Sequence, residues 1–330
     1  MSKSIKQDEN KPSTSLPKVK TSLASEKLIF SKAKDLQKNE SQKLISIHAP
    51  KAKKPQTKEE FGQFLAGLID SDGHITKDGC VNIAFNTNDI SVAYYIKSAI
   101  GYGKVTREKY SFVVRYSCRP ILGLVKIADL IRFKLKHLDK IAQFNSRLVP
   151  KLNCDPTIYT DSDISQNHWL AGFIQGDGCL SLIQQLDKRR LIGTVPETRI
   201  VVAISQKAER LLTLIKAHFG GCVRHRKAHA TYYYISNSFT NAVKFINYLD
   251  KFQLMGNKLT QYWIWRKAYL IVQSKQHLTE KGSAKIAQKK ANLSKMRAND
   301  VENLSDEVKA YRLNAKQKRA PKQKTSANLK

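Results

Sequence analysis

The sequence predicts an α+β protein built from a duplicated α-β-β-α-β-β-α unit, with two antiparallel sheets and a central two-helix interface on a pseudo-twofold axis. Three observations carry this expectation. Phe64-Leu-Ala-Gly-Leu-Ile-Asp-Ser-Asp-Gly73 and Trp169-Leu-Ala-Gly-Phe-Ile-Gln-Gly-Asp-Gly178 are nearly the same segment, with Leu65 and Leu170 105 positions apart. The pattern of strands and helices after each copy is alike, as a tandem structural repeat requires. Each copy also carries an apolar stripe, Leu65/Leu68/Ile69 or Leu170/Phe173/Ile174, beside an Ala-Gly step small enough to let two helix backbones approach.

The elements follow in order. Residues 1–57 are rich in Lys, Ser, Gln and Asn, with Phe30 the only aromatic, so a basic and largely disordered extension is expected, with a short helix near 24–36. The first repeat spans 58–152. After the first motif, Ile83–Lys97 reads as a strand, a polar cap and an amphipathic helix, and Val202–Lys216 is its counterpart. Glycine-marked turns follow, Gly101-Tyr-Gly and Gly220-Gly-Cys. Two alternating strands come next, Lys104–Lys109 with Ser111–Ser117 and Cys222–Lys227 with Thr231–Ser236. A second amphipathic helix, Ile121–Phe133 or Phe239–Phe252, precedes Lys140-Ile-Ala-Gln-Phe144 or Lys258-Leu-Thr-Gln-Tyr262. Residues 153–167, with Pro156, form the linker, 168–278 the second repeat and 279–330 a basic, helical or disordered tail.

A formal charge of +31 on 330 residues calls for a polyanionic partner, nucleic acid first and an anionic membrane surface second. No apolar run reaches the roughly eighteen residues of a membrane span, and no secretory signal is expected. Five scattered cysteines without a Cys-x-x-Cys pair or a His cluster argue against zinc and for free thiols in a reducing compartment.

Asp72 and Asp177 each precede a glycine suited to end a helix. A carboxylate at a helix C-terminus opposes the helix dipole, and two brought together repel. A divalent metal held by carboxylates and helix-end carbonyls resolves both conflicts, and oxygen ligands suit Mg²⁺. One such motif reads most simply as a capped core helix. Two, each keeping Asp before Gly, point to a metal-assisted phosphodiester site.

The two segments resemble the signature of the LAGLIDADG homing endonucleases, proteins typically encoded within introns. The resemblance covers about residues 58–278. Leu65-Ala-Gly-Leu-Ile-Asp-Ser-Asp-Gly73 departs from the family name at Ser71. It implies that Asp72 and Asp177 are catalytic and bind Mg²⁺ (or Mn²⁺), with backbone carbonyls of Ser71 and Gly176 as further ligands. It also implies a late lysine in each repeat, Lys140 and Lys258 by their shared Lys-x-x-Gln-aromatic pattern. Asp70 is matched by Gln175. An amide at one of two equivalent positions argues against an obligatory metal ligand there, so both are read as interdomain or capping groups.

The family further implies that each antiparallel sheet lies in the major groove of double-stranded DNA. A two-stranded ribbon fits that groove. In repeat two the expected contacts are Arg224 and Arg226, near His229 and the Tyr232/Tyr234 pair. Lys104 and Thr106 take the corresponding places in repeat one, with Arg115 beside them, and Lys188, Arg189 and Arg190 extend the surface from a hairpin loop. Two unlike halves in one chain imply a monomer reading an asymmetric site. The alternatives are an RNA maturase that binds its host intron RNA, alone or in addition, and a non-catalytic DNA-binding regulator. An organellar setting, mitochondrion before chloroplast, fits the lysine-rich composition.

Overall fold

The computed structural model describes residues 44–109, 111–186 and 195–297. Helix α1 (Lys58–Asp72) opens with a capping box: Glu60 N–H donates to Thr57 Oγ1 (3.1 Å), and the Glu60 carboxylate accepts from Thr57 N–H (3.3 Å). Strands β1 (Gly73–Ile75) and β2 (Val81–Asn86) follow, then α2 (Ile90–Ile100), β3 (Lys104–Arg107), β4 (Val113–Cys118), α3 (Ile121–Ile131), α4 (Leu138–Gln143) and the short α5 (Val149–Leu152). The second repeat runs α6 (Trp169–Asp177), β5 (Gly178–Gln185), β6 (Glu197–Gln206), α7 (Glu209–Phe219), β7 (Cys222–Arg226), β8 (Thr231–Ser236), α8 (Phe239–Lys251) and α9 (Gly256–Gln273). A further helix, α10 (Glu280–Arg297), buries Ile286 and Leu293 in the core.

The four-stranded sheets have the orders β1-β2-β4-β3 and β5-β6-β8-β7, with every pairing antiparallel. The expected α+β duplication is therefore the observed architecture. The registers superimpose the repeats: Gly73 pairs with Ile83 as Gly178 pairs with Ile204, and Val105 with Tyr116 as Val223 with Tyr234. The structural counterpart of Ile83 is thus Ile204, two residues beyond the Val202 suggested by sequence. Strand alternation sends Ile83, Tyr116, Ile204 and Tyr234 into a single core that runs through both repeats.

At the centre α1 crosses α6. A methyl group on Gly67 would lie 1.9 Å from the Trp169 carbonyl oxygen, and one on Gly172 would lie 1.9 Å from that of Phe64. Only glycine allows this backbone contact, which explains the small residues within two otherwise bulky stripes. Gly73 and Gly178 end their helices, as expected. Both are extended (φ −80° and −73°) and feed straight into a strand, rather than turning left-handed. They are needed because a side chain would strike Ile69 or Ile174 in the preceding turn.

Residues 45–53, within the stretch whose composition suggests disorder, are held by backbone hydrogen bonds to side chains of repeat two. Gln273 bonds Ile45 through both its amide atoms, Lys53 N–H donates to Gln253 Oε1 (2.7 Å), and Gln253 Nε2 donates to Lys51 O (2.9 Å). Arg266, 3% exposed, donates to the Ser46 carbonyl and to Asp250. The expected helix at 24–36 and the tail beyond Arg297 lie outside the described residues. Among the described residues no helix is long and apolar enough to cross a membrane.

Candidate functional site

Because α1 and α6 cross at their glycines, their last turns lie side by side. A side chain on Gly176 would meet Ser71 Oγ at 2.2 Å and Asp72 Oδ2 at 2.8 Å, so the two Asp-Gly ends share one cleft. Asp70, Ser71, Lys140, Asp177, Gln206 and Lys207 line it. Asp72 is exposed beside Gly176, and Asp177 is half-buried.

The electrostatics fit a cation. Burial pushes the Asp177 carboxyl up to about 7, and the nearby Asp72 charge adds to this. Asp72 is raised by desolvation from the surrounding protein, against the pull of Lys258 and Lys140. Gln206 donates to Asp177 Oδ2. Among the described residues no cluster of three or more His, Cys, Asp or Glu could hold a metal. Two carboxylates therefore need neutral oxygens to complete a shell. The last turns of α1 and α6 could supply them, since carbonyls at a helix end, such as those of Ser71 and Gly176, have no intrahelical donors. This all-oxygen donor set suits Mg²⁺.

The late lysines take matching places. Lys140 Nζ donates to Gly73 O (2.6 Å) and Lys258 Nζ to Gly178 O (2.7 Å), one residue beyond each aspartate. Both ammonium groups are lowered by desolvation. Asp70 is the largest opposing charge at Lys140, Asp89 at Lys258, and both lysines also feel Asp72 and Asp177. Asp70 and Gln175 are caps. Asp70 accepts from Lys136 N–H, His137 N–H and Trp169 Nε1, the last from the other repeat, and Gln175 Oε1 accepts from Met255 N–H.

On the outward sheet faces the structure places Lys104 and Thr106 of β3 and Arg224 of β7 in the open. Register sets Thr106 level with Arg224, and Lys104 level with Cys222, one pleat from the correspondence read from sequence. Arg115 lies across from Thr106 and is paired with Glu108 (Nε to Oε1, 3.0 Å). Arg226 and His229 are exposed at the β7–β8 hairpin.

The Tyr232/Tyr234 assignment is corrected. Tyr234 is fully buried, opposite Val223 on the helix-covered face, and Tyr232 shares that face against His225. Tyr233 is the outward residue: it faces Arg224, and the Arg226 guanidinium lies 4.5 Å from its ring centre. Three tyrosines in a row give no alternation, so only the register reveals which one faces out. Gln206 was missed as well, because it reaches Asp177 from the end of β6, 29 positions further along the chain. Lys188, Arg189 and Arg190 lie outside the described residues.

Comparison with known proteins gives a consistent result. Residues 170–269 match the LAGLIDADG endonuclease family. A 37.2 kDa protein of cox1 intron 2 in Schizosaccharomyces pombe is 40% identical over 250 residues, covering 74% of this chain and 76% of its own. The intron-encoded RNA maturase bI4 of Saccharomyces cerevisiae is 25% identical over 180 residues, 52% of this chain and 26% of its own. The LAGLIDADG homing endonuclease I-SmaMI, solved bound to cleaved DNA, superposes with a TM-score of 0.57 at 20% identity, over 76% of this chain and all of that one. The same enzyme, solved on an uncleaved target in the presence of calcium ions, gives 0.56 at 21% identity, over 71% and 98% of the two chains.

Proposed function

Because the chain belongs to the LAGLIDADG endonuclease family, we propose that it is a site-specific homing endonuclease that hydrolyses both strands of a long asymmetric DNA target. The observation that carries the reading is the shared cleft in which Asp72 and Asp177 meet, each with a lysine on the carbonyl of the next residue. Asp72 and Asp177, with the carbonyls of Ser71 and Gly176, would hold Mg²⁺ or Mn²⁺. Bound there, the ion would lower the pKa of a water and offset charge on the scissile phosphate. Lys140 and Lys258 keep positive charge beside the two carboxylates and orient solvent at each strand. Lys104, Thr106, Arg115, Arg224, Arg226 and Tyr233 present the outward faces to the duplex, with phosphate contacts fixing register and base-edge contacts selecting sequence.

The two unlike halves make one chain sufficient, so the active form is a monomer. Its setting is mitochondrial, supported by similarity to a cox1 intron product. The test is incubation of the purified protein with Mg²⁺ and a duplex carrying the joined exons of its host intron. A double-strand break near the junction is expected, and binding without cleavage would sink the enzymatic claim.

Similarity to an RNA maturase over 52% of the chain, together with the +31 charge, supports assistance to intron splicing as a second activity. Host intron RNA that splices equally well with and without the protein at low Mg²⁺ would remove that reading.

A further inference from the structure

Each motif meets its lysine-bearing helix at two points with one spacing. In repeat one, Asp70 Oδ1 accepts from His137 N–H (3.2 Å) and Gly73 O accepts from Lys140 Nζ (2.6 Å). In repeat two, Gln175 Oε1 accepts from Met255 N–H (2.9 Å) and Gly178 O accepts from Lys258 Nζ (2.7 Å). Residues 70 and 73 face 137 and 140, a constant offset of 67. Residues 175 and 178 face 255 and 258, a constant offset of 80. Two four-residue segments are thus pinned to each other at both ends, once in each half.

We propose that Asp70 and Gln175 are positioning residues, each fixing the lysine of its own half against the carbonyl that follows its metal-binding aspartate. The inference rests on the roles given above to Lys140 and Lys258.

Both lysines stand third in their helices, α4 and α9, so the free amides just ahead of the first turn set where that turn begins. An acceptor there fixes the helix start, and through it the lysine stem. The acceptors differ because their surroundings differ. Asp70 is fully buried and answers three N–H donors, Lys136, His137 and Trp169, which a carboxylate satisfies. Gln175 answers one amide, and its own Nε2 is buried without a hydrogen-bond partner. The start of α9 has a second support in Asp89 of repeat one, whose Oδ1 accepts from Asn257 N–H (2.9 Å). Neither Asp70 nor Gln175 needs to touch metal or DNA for this role. That accounts for a position carboxylate in one half and amide in the other.

The test is strand-resolved, single-turnover cleavage by the full chain on the joined-exon duplex, with DNA affinity and melting temperature measured alongside. Gln175→Met keeps the volume, removes the acceptor and removes the unpaired Nε2. It is expected to slow cleavage of one strand by roughly 10- to 100-fold, the scale of a displaced catalytic group. Affinity and melting temperature should hold, and Gln175→Glu should restore the rate. Added to Lys258→Met, Gln175→Met should cost nothing further, whereas added to Lys140→Met it should cost its full amount. Asp70→Asn should slow the opposite strand and be silent on Lys140→Met, which supplies the readout should Gln175→Met lower the melting temperature. Equal slowing of both strands, full additivity with the lysine of the same half, or a wild-type rate in both variants would overturn the proposal. A wild-type protein that binds this duplex and cuts neither strand would instead overturn the endonuclease reading.

Discussion

Gly67 and Gly172 occupy mirrored positions at the helix crossing, each with its α-carbon against a carbonyl of the opposite helix. The crossing sets how far apart Asp72 and Asp177 can be, since each aspartate ends one of these helices. Alanine at either glycine would put a methyl group 1.9 Å from a carbonyl oxygen, far inside van der Waals contact. Gly172→Ala should therefore destabilise the fold by roughly 1–3 kcal/mol or more, the range for overpacked cores. Cleavage should fall beyond what the lost stability explains, because the helix ends separate. Chemical denaturation and cleavage at a temperature where both proteins are folded would show this. Unchanged denaturation would mean that the backbones do not touch.

The carboxylate pair leads to a second expectation. Replacing Asp72 or Asp177 with Asn removes a charge that the proposed cation would need and keeps the shape. Asp177→Asn should abolish double-strand cleavage in Mg²⁺ while DNA affinity stays near wild type. It also relieves repulsion at a group raised to about 7, so the metal-free variant should melt no lower than wild type above that pH. Loss of DNA binding in parallel with cleavage would move Asp177 from chemistry to recognition.

Metal binding should be linked to protons at the same group. Asp177 is protonated below about 7 and must ionise to bind a cation. The rise in melting temperature on adding Mg²⁺ should thus be small at pH 6 and grow through pH 7 to 8. Asp177→Asn should flatten that dependence. A Mg²⁺ effect of equal size at both ends of the range would count against this site as the place of binding.

Much of this arrangement was legible in the sequence, for reasons visible at particular residues. The 3.6-residue stripe and the repeated Asp-Gly end announce α1 and α6, and Lys-x-x-Gln-aromatic marks both lysines. What stayed hidden depends on main-chain partners or on register. Asp70 reads as an interdomain or capping group, but which amides it caps is hidden until His137 N–H, 67 positions away, is found beside it. The 45–53 segment looks unstructured because its anchors are its own carbonyls and amides, recognised by Gln253, Gln273 and Arg266. The direction of three consecutive tyrosines is set only by how β8 pairs with β7.

Stability should also depend on pH through two buried histidines. His137 and His168 are held below their ordinary value, chiefly by burial, and His137 Nδ1 accepts from Asp139 N–H (3.1 Å), a bond that requires the neutral ring. The unfolded chain takes up these protons near pH 6.5 and the folded chain only at lower pH. Their contribution is complete above about pH 6.5 and is lost as pH falls toward the folded values. Asp70 and Asp177, both pushed up to about 7, act in the opposite direction over the same range, so the histidine contribution is read as a difference between proteins. In urea denaturation measured in chelator, His168→Phe, beside Phe252, should gain midpoint relative to wild type on going from pH 7.5 to pH 5.5. A difference from wild type that does not change with pH would place the titrating groups elsewhere.

The orientation of β8 makes the last prediction the most selective. Tyr233 and Arg224 face each other on the outward side of the second sheet, and Arg226 covers the Tyr233 ring. Tyr234, one residue on, is sealed in the core with Phe245, where its ring helps hold α8 to the sheet. If the outward face is the DNA surface, Tyr233→Ala should weaken target binding, while Tyr234→Phe should leave affinity unchanged. Arg224→Ala separates two modes of contact. A phosphate contact predicts weaker binding to every sequence and a salt dependence shallower by about one ion, whereas a base contact predicts relaxed preference at one position of the site. Fluorescence anisotropy across a salt series, on target and scrambled duplexes, distinguishes them. Sensitivity to Tyr234→Phe together with indifference to Tyr233→Ala would mean that DNA does not lie on this face.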